Sequence, residues 1–175
     1  MSRLRPLAFV AGAAAYAAPV LMLAADVALV TYRSVAGLAL QRMALTLFVA
    51  AIGGVLILTH DRARWQMGAG AAVAALGAAA IALAPGALVT PTRPPAVLFP
   101  LGLLILSSAM IGSSVSRRVA ALIAAGALLF PLAHLSGVPA ALIGGDVILL
   151  AAFWQLAPRM MGRTTTLNRP PTTNH

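Results

Sequence analysis

Cysteine, lysine and glutamate are absent from this chain, and its only acidic residues are Asp26, Asp61 and Asp146. Without cysteine the protein has no disulfide, no thiolate nucleophile, no Cys-ligated zinc site and no iron–sulfur cluster. Without lysine it has no side-chain amine for Schiff-base chemistry. Its 12 basic residues are all arginine, and charged residues make up only 9% of the chain. Several large classes of enzyme and electron carrier are thereby excluded.

Apolar residues are present in large excess. Of the 175 residues 61% are hydrophobic, and the mean hydropathy is +0.97. A water-soluble domain carries roughly 25% charged residues, because it needs a hydrated surface. The net charge of +9 does not indicate a nucleic-acid partner, because the arginines stand singly or in pairs between apolar stretches, without interleaved aromatics. The composition predicts a membrane protein whose surroundings are the lipid bilayer.

Six apolar segments meet or approach the length of about 20 residues that a helix needs to cross a bilayer. The sequence therefore predicts an all-α fold, a polytopic transmembrane helical bundle of six spans arranged as three hairpins. The transmembrane domain is predicted over residues 1–157. Its spans lie near residues 7–31, 37–59, 67–89, 96–112, 119–135 and 139–157. Residues 158–175, rich in Thr, Pro, Asn and Arg, are predicted to be a disordered basic cytoplasmic tail.

The arginines also predict the orientation of the bundle. With the N-terminus inside, the predicted outer segments hold Arg33, Arg42 and Arg93, and the other nine arginines fall in cytoplasmic segments. This asymmetry favours both termini in the cytoplasm of a bacterial inner membrane, in a multi-pass arrangement. Trp65 and Trp154 then fall at the cytoplasmic interface. A competing interpretation is a signal peptide cleaved after Ala15-Tyr16-Ala17, which would leave five spans.

Ionisable residues within predicted spans are the candidate binding residues, because each is costly to place in lipid. Asp26 and Arg42 lie about eight residues either side of a predicted turn near Ser34, and so at similar depth. Asp146 lies at a comparable depth after the turn near Gly137, and His134 is nearer the outer interface. Two interpretations are open: an Asp26–Arg42 ion pair that fixes helix register, or an outer-leaflet polar cavity.

The second interpretation favours permease-like handling of an ion, a proton or a small polar solute. The alternative is a non-catalytic accessory or assembly subunit, with membrane-protein partners or further copies of the chain. No catalytic residue, cofactor or metal is assigned. Haem within one subunit is disfavoured, because His60 and His134 are predicted near opposite faces of the membrane. An enzyme is the less favoured class.

Two irregularities lie near the candidate residues. Pro19 in the middle of the first span is expected to kink it, and Gly144-Gly145 could break the sixth helix so that Asp146 caps its second half. The stretch Gly144–Leu150 also resembles the GxGD segment of type 4 prepilin peptidases, which are intramembrane aspartyl proteases. Ile143 replaces the first glycine of that motif, and Ile148 stands where the family usually has lysine. The resemblance implies a second carboxyl group, for which Asp26 is the candidate.

Overall fold

A computed structural model of the chain describes residues 4–32, 35–58, 65–83, 94–111, 117–136 and 138–166. Within these ranges the chain is helical, with no strand. The six helices are α1 (Leu4–Tyr32), α2 (Val35–Leu58), α3 (Trp65–Leu83), α4 (Pro94–Ile111), α5 (Arg117–Ser136) and α6 (Pro139–Thr166). The all-α prediction is confirmed.

Four of these helices are long and apolar enough to cross a membrane. They contain the segments Pro6–Val30, Ala36–Leu56, Trp65–Leu83 and Pro139–Gly162. On α4 the apolar segment is shorter, Val97–Ile111. The first turn of helix α5 contains two arginines, Arg117 and Arg118, which lower the mean hydropathy of this helix.

Helices that follow one another in the chain pack side by side, and α6 also packs on α1. The bundle is therefore a closed ring, and its most extensive contacts join α1 to α2 and α3 to α4. The α1–α6 contact includes a hydrogen bond of 3.2 Å from Trp154 Nε1 to the carbonyl oxygen of Tyr16. The aromatic rings of Tyr16 and Trp154 pack edge to face, with centroids 5.8 Å apart. Helices α2 and α6 also touch each other inside the ring.

Four phenylalanines from different helices fill the interior. Phe48 of α2 packs edge to face on Phe99 of α4 and on Phe153 of α6, with ring centroids 5.7 and 5.2 Å apart. Phe130 of α5 packs on Phe99 in the same way, at 6.1 Å. All four side chains are buried. We refer to these residues as the phenylalanine cluster.

Elsewhere the helices approach closely through small residues. A methyl group added at Gly77 of α3 would collide with the backbone of Phe99, and one added at Gly102 of α4 would collide with the backbone of Ala74. One added at Gly70 would lie 2.6 Å from the backbone nitrogen of Leu106. Close contact of small residues is the usual packing mode of helices in lipid, where burying apolar surface brings little gain.

The outer surface of the bundle is apolar. Large exposed hydrophobic side chains occur on every helix, among them Leu7, Met43, Leu76, Leu101, Leu128 and Val147. A water-soluble monomer rarely exposes such surface on all sides. With the four apolar helices, this surface indicates a membrane protein.

The structure corrects two expectations for α6. The helix continues through Gly144-Gly145 without a break, and Gly145 packs instead against α5, where its added methyl group would lie 3.4 Å from Leu129 Cβ. The helix also extends to Thr166, past the predicted end at 157. It does so because Met160 is buried against α2, where a methyl group added at Gly54 would lie 3.0 Å from its Sδ. Residues 167–175 of the predicted tail lie outside the described residues.

Helix α3 is described as far as Leu83, and the predicted continuation to residue 89 lies outside the described residues. Pro19 lies within α1, which is a single helix on both sides of it.

Candidate functional site

Buried polar side chains are few in the described part of the chain: Asp26, Gln41, Ser107 and Asp146. The hydroxyl of Ser107 donates a hydrogen bond of 2.8 Å to the carbonyl oxygen of Leu104 in its own helix. The other three residues come from three helices, α1, α2 and α6. We refer to Asp26, Gln41 and Asp146 as the carboxyl site.

The three residues share one depth in the bundle. Asp26 lies six residues before the end of α1, Gln41 six residues after the start of α2, and Asp146 seven residues after the start of α6. At a rise of 1.5 Å per residue, each lies about 9 to 10 Å from that helix end. Because α1 packs on both α2 and α6, Gln41 and Asp146 both approach Asp26 near one end of the bundle, which we call the α1–α2 end.

Asp26 is the central member. Its side chain is 2% exposed, and Gln41 Nε2 donates a hydrogen bond of 3.4 Å to its Oδ1. Gln41 is itself only 8% exposed. An amide donor directed at a carboxylate stabilises it without adding charge, so the Gln41 contact leaves the site acidic.

Asp146 is the most deeply buried of the three, at 1% exposed. Neither of its oxygens has a well-formed hydrogen bond to a described residue. Its carboxyl group lies close enough to that of Asp26 for the two acids to interact directly. Two carboxyl groups this close in a water-poor interior repel each other strongly when both are charged.

The structure brings together two of the four predicted residues, Asp26 and Asp146. Arg42 follows Gln41 by one position, a turn of about 100° around the helix, and its side chain is exposed. Gln41 therefore occupies the place beside Asp26 that the sequence prediction gave to Arg42. His134 lies on α5, and its side chain is outside the described residues.

Gln41 is the residue that the sequence prediction missed. Depth counting could not separate it from Arg42, because the two differ in direction rather than in depth. Its signal was an uncharged amide within an apolar span, at the same level as two acids.

No protein-family model matches this chain, and neither the curated proteins nor the solved structures contain a significant match. Function must therefore be inferred from the chemistry of the carboxyl site. In the described part of the chain no group of three or more His, Cys, Asp or Glu side chains is placed to hold a metal ion. Two acids and an amide are instead suited to exchanging a proton or to binding a small cation.

Proposed function

We propose that this protein binds and releases a proton or a small cation at the carboxyl site, as part of permease-like transport across a membrane. The observation that carries the proposal is the pairing of Asp146 with a second acid inside an apolar bundle. A pair of acids that holds one proton changes its charge by one unit when that proton leaves or a cation replaces it. This change is the elementary step of proton- or cation-coupled transport.

A purely structural polar contact would have a different composition. Burying a charge in an apolar interior costs several kcal/mol unless an opposite charge compensates it. Asp146 meets another acid, an arrangement that disfavours the fully charged state. Residues that weaken a fold in this way are typical of functional sites.

We also propose that all six helices cross the membrane, with both termini in the cytoplasm of a bacterial inner membrane. The described lengths of α4 and α5, 18 and 20 residues, correspond to about 27 and 30 Å, close to the thickness of the hydrocarbon core. The exposed side chains of Arg117, Arg118 and Arg159 lie toward the end of the bundle opposite the α1–α2 end. The sequence prediction assigns nine of the 12 arginines to that side, which favours it as the cytoplasmic one. The carboxyl site then lies in the outer leaflet.

Ion flux in proteoliposomes tests the proposal. Purified protein is reconstituted into vesicles loaded with a dye sensitive to pH, to Na⁺ or to K⁺, and flux is followed after imposing gradients of H⁺, Na⁺, K⁺ or ammonium. We expect flux above that of empty vesicles for at least one of these ions. Asp146→Asn should reduce it at least tenfold, because the amide cannot exchange the charge.

Asp61→Asn is the matched control, because it makes the same chemical change at the only acid outside the carboxyl site. It should keep the parent flux. If none of these ions crosses faster than in empty vesicles, the proposal is wrong. In that case, depletion of the protein in cells by both Asp26→Asn and Asp146→Asn would favour the accessory-subunit interpretation.

A second candidate function is intramembrane aspartyl proteolysis. It is favoured because Asp146, which follows Gly144-Gly145, lies beside a second acid, Asp26. Two carboxyl groups that share a proton can activate water for attack on a peptide bond. Incubation in detergent with a fluorescently labelled single-span peptide tests this candidate. Cleavage abolished by Asp26→Asn and by Asp146→Asn alike, without ion flux in vesicles, would favour the protease over the permease.

A further inference from the structure

The interior of the bundle differs strongly between its two halves. Near the α1–α2 end it holds the three polar side chains of the carboxyl site. Toward the opposite end the buried side chains of the described residues are apolar apart from Ser107, which is satisfied by its own helix. Buried residues of this apolar half include Ile52, Val55, Met67, Met110, Ile123 and Leu156. Among these described residues a hydrated ion or a proton on water would find no buried polar partner besides Ser107.

Two members of the phenylalanine cluster, Phe48 and Phe153, lie at the boundary between the halves, whereas Phe130 lies beside Gly145, level with the carboxyl site. Phe48 follows Gln41 by seven residues on α2, and Phe153 follows Asp146 by seven residues on α6. Seven residues are nearly two full turns, so each ring projects from the same face as its polar partner, about 10 Å farther from the α1–α2 end. The rings of Phe48 and Phe153 are in contact, with centroids 5.2 Å apart.

We propose that Phe48 and Phe153 of the phenylalanine cluster form a hydrophobic barrier, so that the carboxyl site communicates with water only through the α1–α2 end. This inference rests on the proposed function and assigns the direction from which the site is loaded. On the shorter side only about 10 Å of helix separates the acids from the end of the bundle. Toward the opposite end, the packed rings of Phe48 and Phe153 and the apolar half exclude water, as hydrophobic constrictions close channels by dewetting.

The absence of cysteine permits a direct test, because a single introduced thiol is the only one in the protein. Gln41→Cys places a thiol above the barrier, and Ile52→Cys places one below it. Each variant is reconstituted in vesicles of known orientation and exposed to a membrane-impermeant thiol reagent from one side at a time. We expect the thiol of Gln41→Cys to react from the side of the α1–α2 end at least tenfold faster than from the other side.

Removing the rings should abolish this asymmetry. In a protein that also carries both Phe48→Ala and Phe153→Ala, the thiol of Gln41→Cys should react from both sides at rates within a few-fold of each other. The matched background Phe48→Leu with Phe153→Leu keeps most of the apolar bulk and should keep the labelling one-sided. Ile52→Cys should react from neither side in the parent background and should become reactive in the alanine background.

Two results would overturn the barrier. One is equal labelling of Gln41→Cys from both sides in the parent background, which needs no ring substitution and so does not depend on whether the alanine variant folds. The other is one-sided labelling that persists in a correctly folded alanine variant. Labelling measures access and not ion binding. One-sided access without any ion flux would therefore contradict the proposed function and still support the barrier.

Discussion

Gln41 and Arg42 are adjacent in α2 but point in different directions, one into the bundle and one out of it. Gln41→Leu removes the amide that donates to Asp26 Oδ1 and leaves a buried acid with one donor fewer. We expect a loss of about 1 to 3 kcal/mol in the free energy of unfolding, typical of hydrogen bonds to charged groups. Arg42→Gln, on the exposed side, should stay within about 0.5 kcal/mol of the parent. Unfolding titrations in mixed micelles give both values, and a larger loss for Arg42→Gln would contradict the assignment.

Asp146→Asn tests whether the pair of acids is structural. Because Asp146 faces another acid, replacing it with the nearly isosteric amide removes the energetic cost of keeping two acids side by side. We therefore expect stability equal to the parent or higher by about 1 kcal/mol, as when buried charges are replaced by neutral groups of similar volume. The thermal midpoint in detergent measures this. A drop of about 3 to 5 kcal/mol, the usual cost of breaking a buried ion pair, would instead mean that Asp146 is held by a cation.

The sequence predicted the depth of these residues but not their directions. Counting from the ends of apolar runs was enough to bring Asp26 and Asp146 to one level. It could not give the rotation of α2 about its own axis, which is set by how Leu45, Phe48 and Ile52 pack in the interior. The side that a residue faces is decided by tertiary packing, and a span that is apolar all round carries no periodicity from which to read it.

Helix α3 has two glycines in contrasting surroundings, which give a matched test of helix packing. A methyl group added at Gly77 meets the backbone of Phe99, whereas one added at Gly68 meets nothing within 4 Å. Gly77→Ala must push α3 and α4 apart, so we expect it to destabilise the bundle by about 1 to 3 kcal/mol. Gly68→Ala should be neutral or slightly stabilising, because alanine favours the helix. Comparison of their thermal midpoints checks this, and equal midpoints would rule out the close α3–α4 contact.

Truncation of α6 tests whether its last turns stabilise the bundle. Truncation after Thr166 keeps Met160 in its buried place, whereas truncation after Ala157 removes it and exposes the groove beside Gly54. Removing a large buried apolar side chain costs about 2 to 5 kcal/mol. We expect the longer variant to accumulate like the parent and the shorter one to be depleted, as measured by immunoblotting of membranes. Equal levels would mean that the last turns of α6 do not stabilise the bundle.

The end of α6 was mispredicted because composition was weighed above packing. Pro158 and the polar residues after it suggested that the helix stops. A proline inside a helix removes one backbone hydrogen bond and crowds the carbonyl four residues earlier, and the burial of Met160 acts against that cost.

For the whole molecule the apolar exterior predicts which residues touch lipid. Leu76 is exposed on α3, and Ala74, two residues earlier, is buried. A spin label attached to Leu76→Cys should be accessible to oxygen, which dissolves in lipid, and inaccessible to a polar relaxation agent. A label at Ala74→Cys should be shielded from both or should disrupt packing. Strong relaxation of the Leu76→Cys label by the polar agent would contradict the membrane placement.

Helices α1 and α6 carry the longest apolar segments, Pro6–Val30 with 25 residues and Pro139–Gly162 with 24. At 1.5 Å per residue these segments are about 37 and 36 Å long, which exceeds a hydrocarbon core of about 30 Å. The two helices pack on each other, so they must tilt together or the bilayer must thicken beside them, and either adjustment has an energetic cost that depends on acyl-chain length. The protein should therefore favour the thicker regions of its membrane.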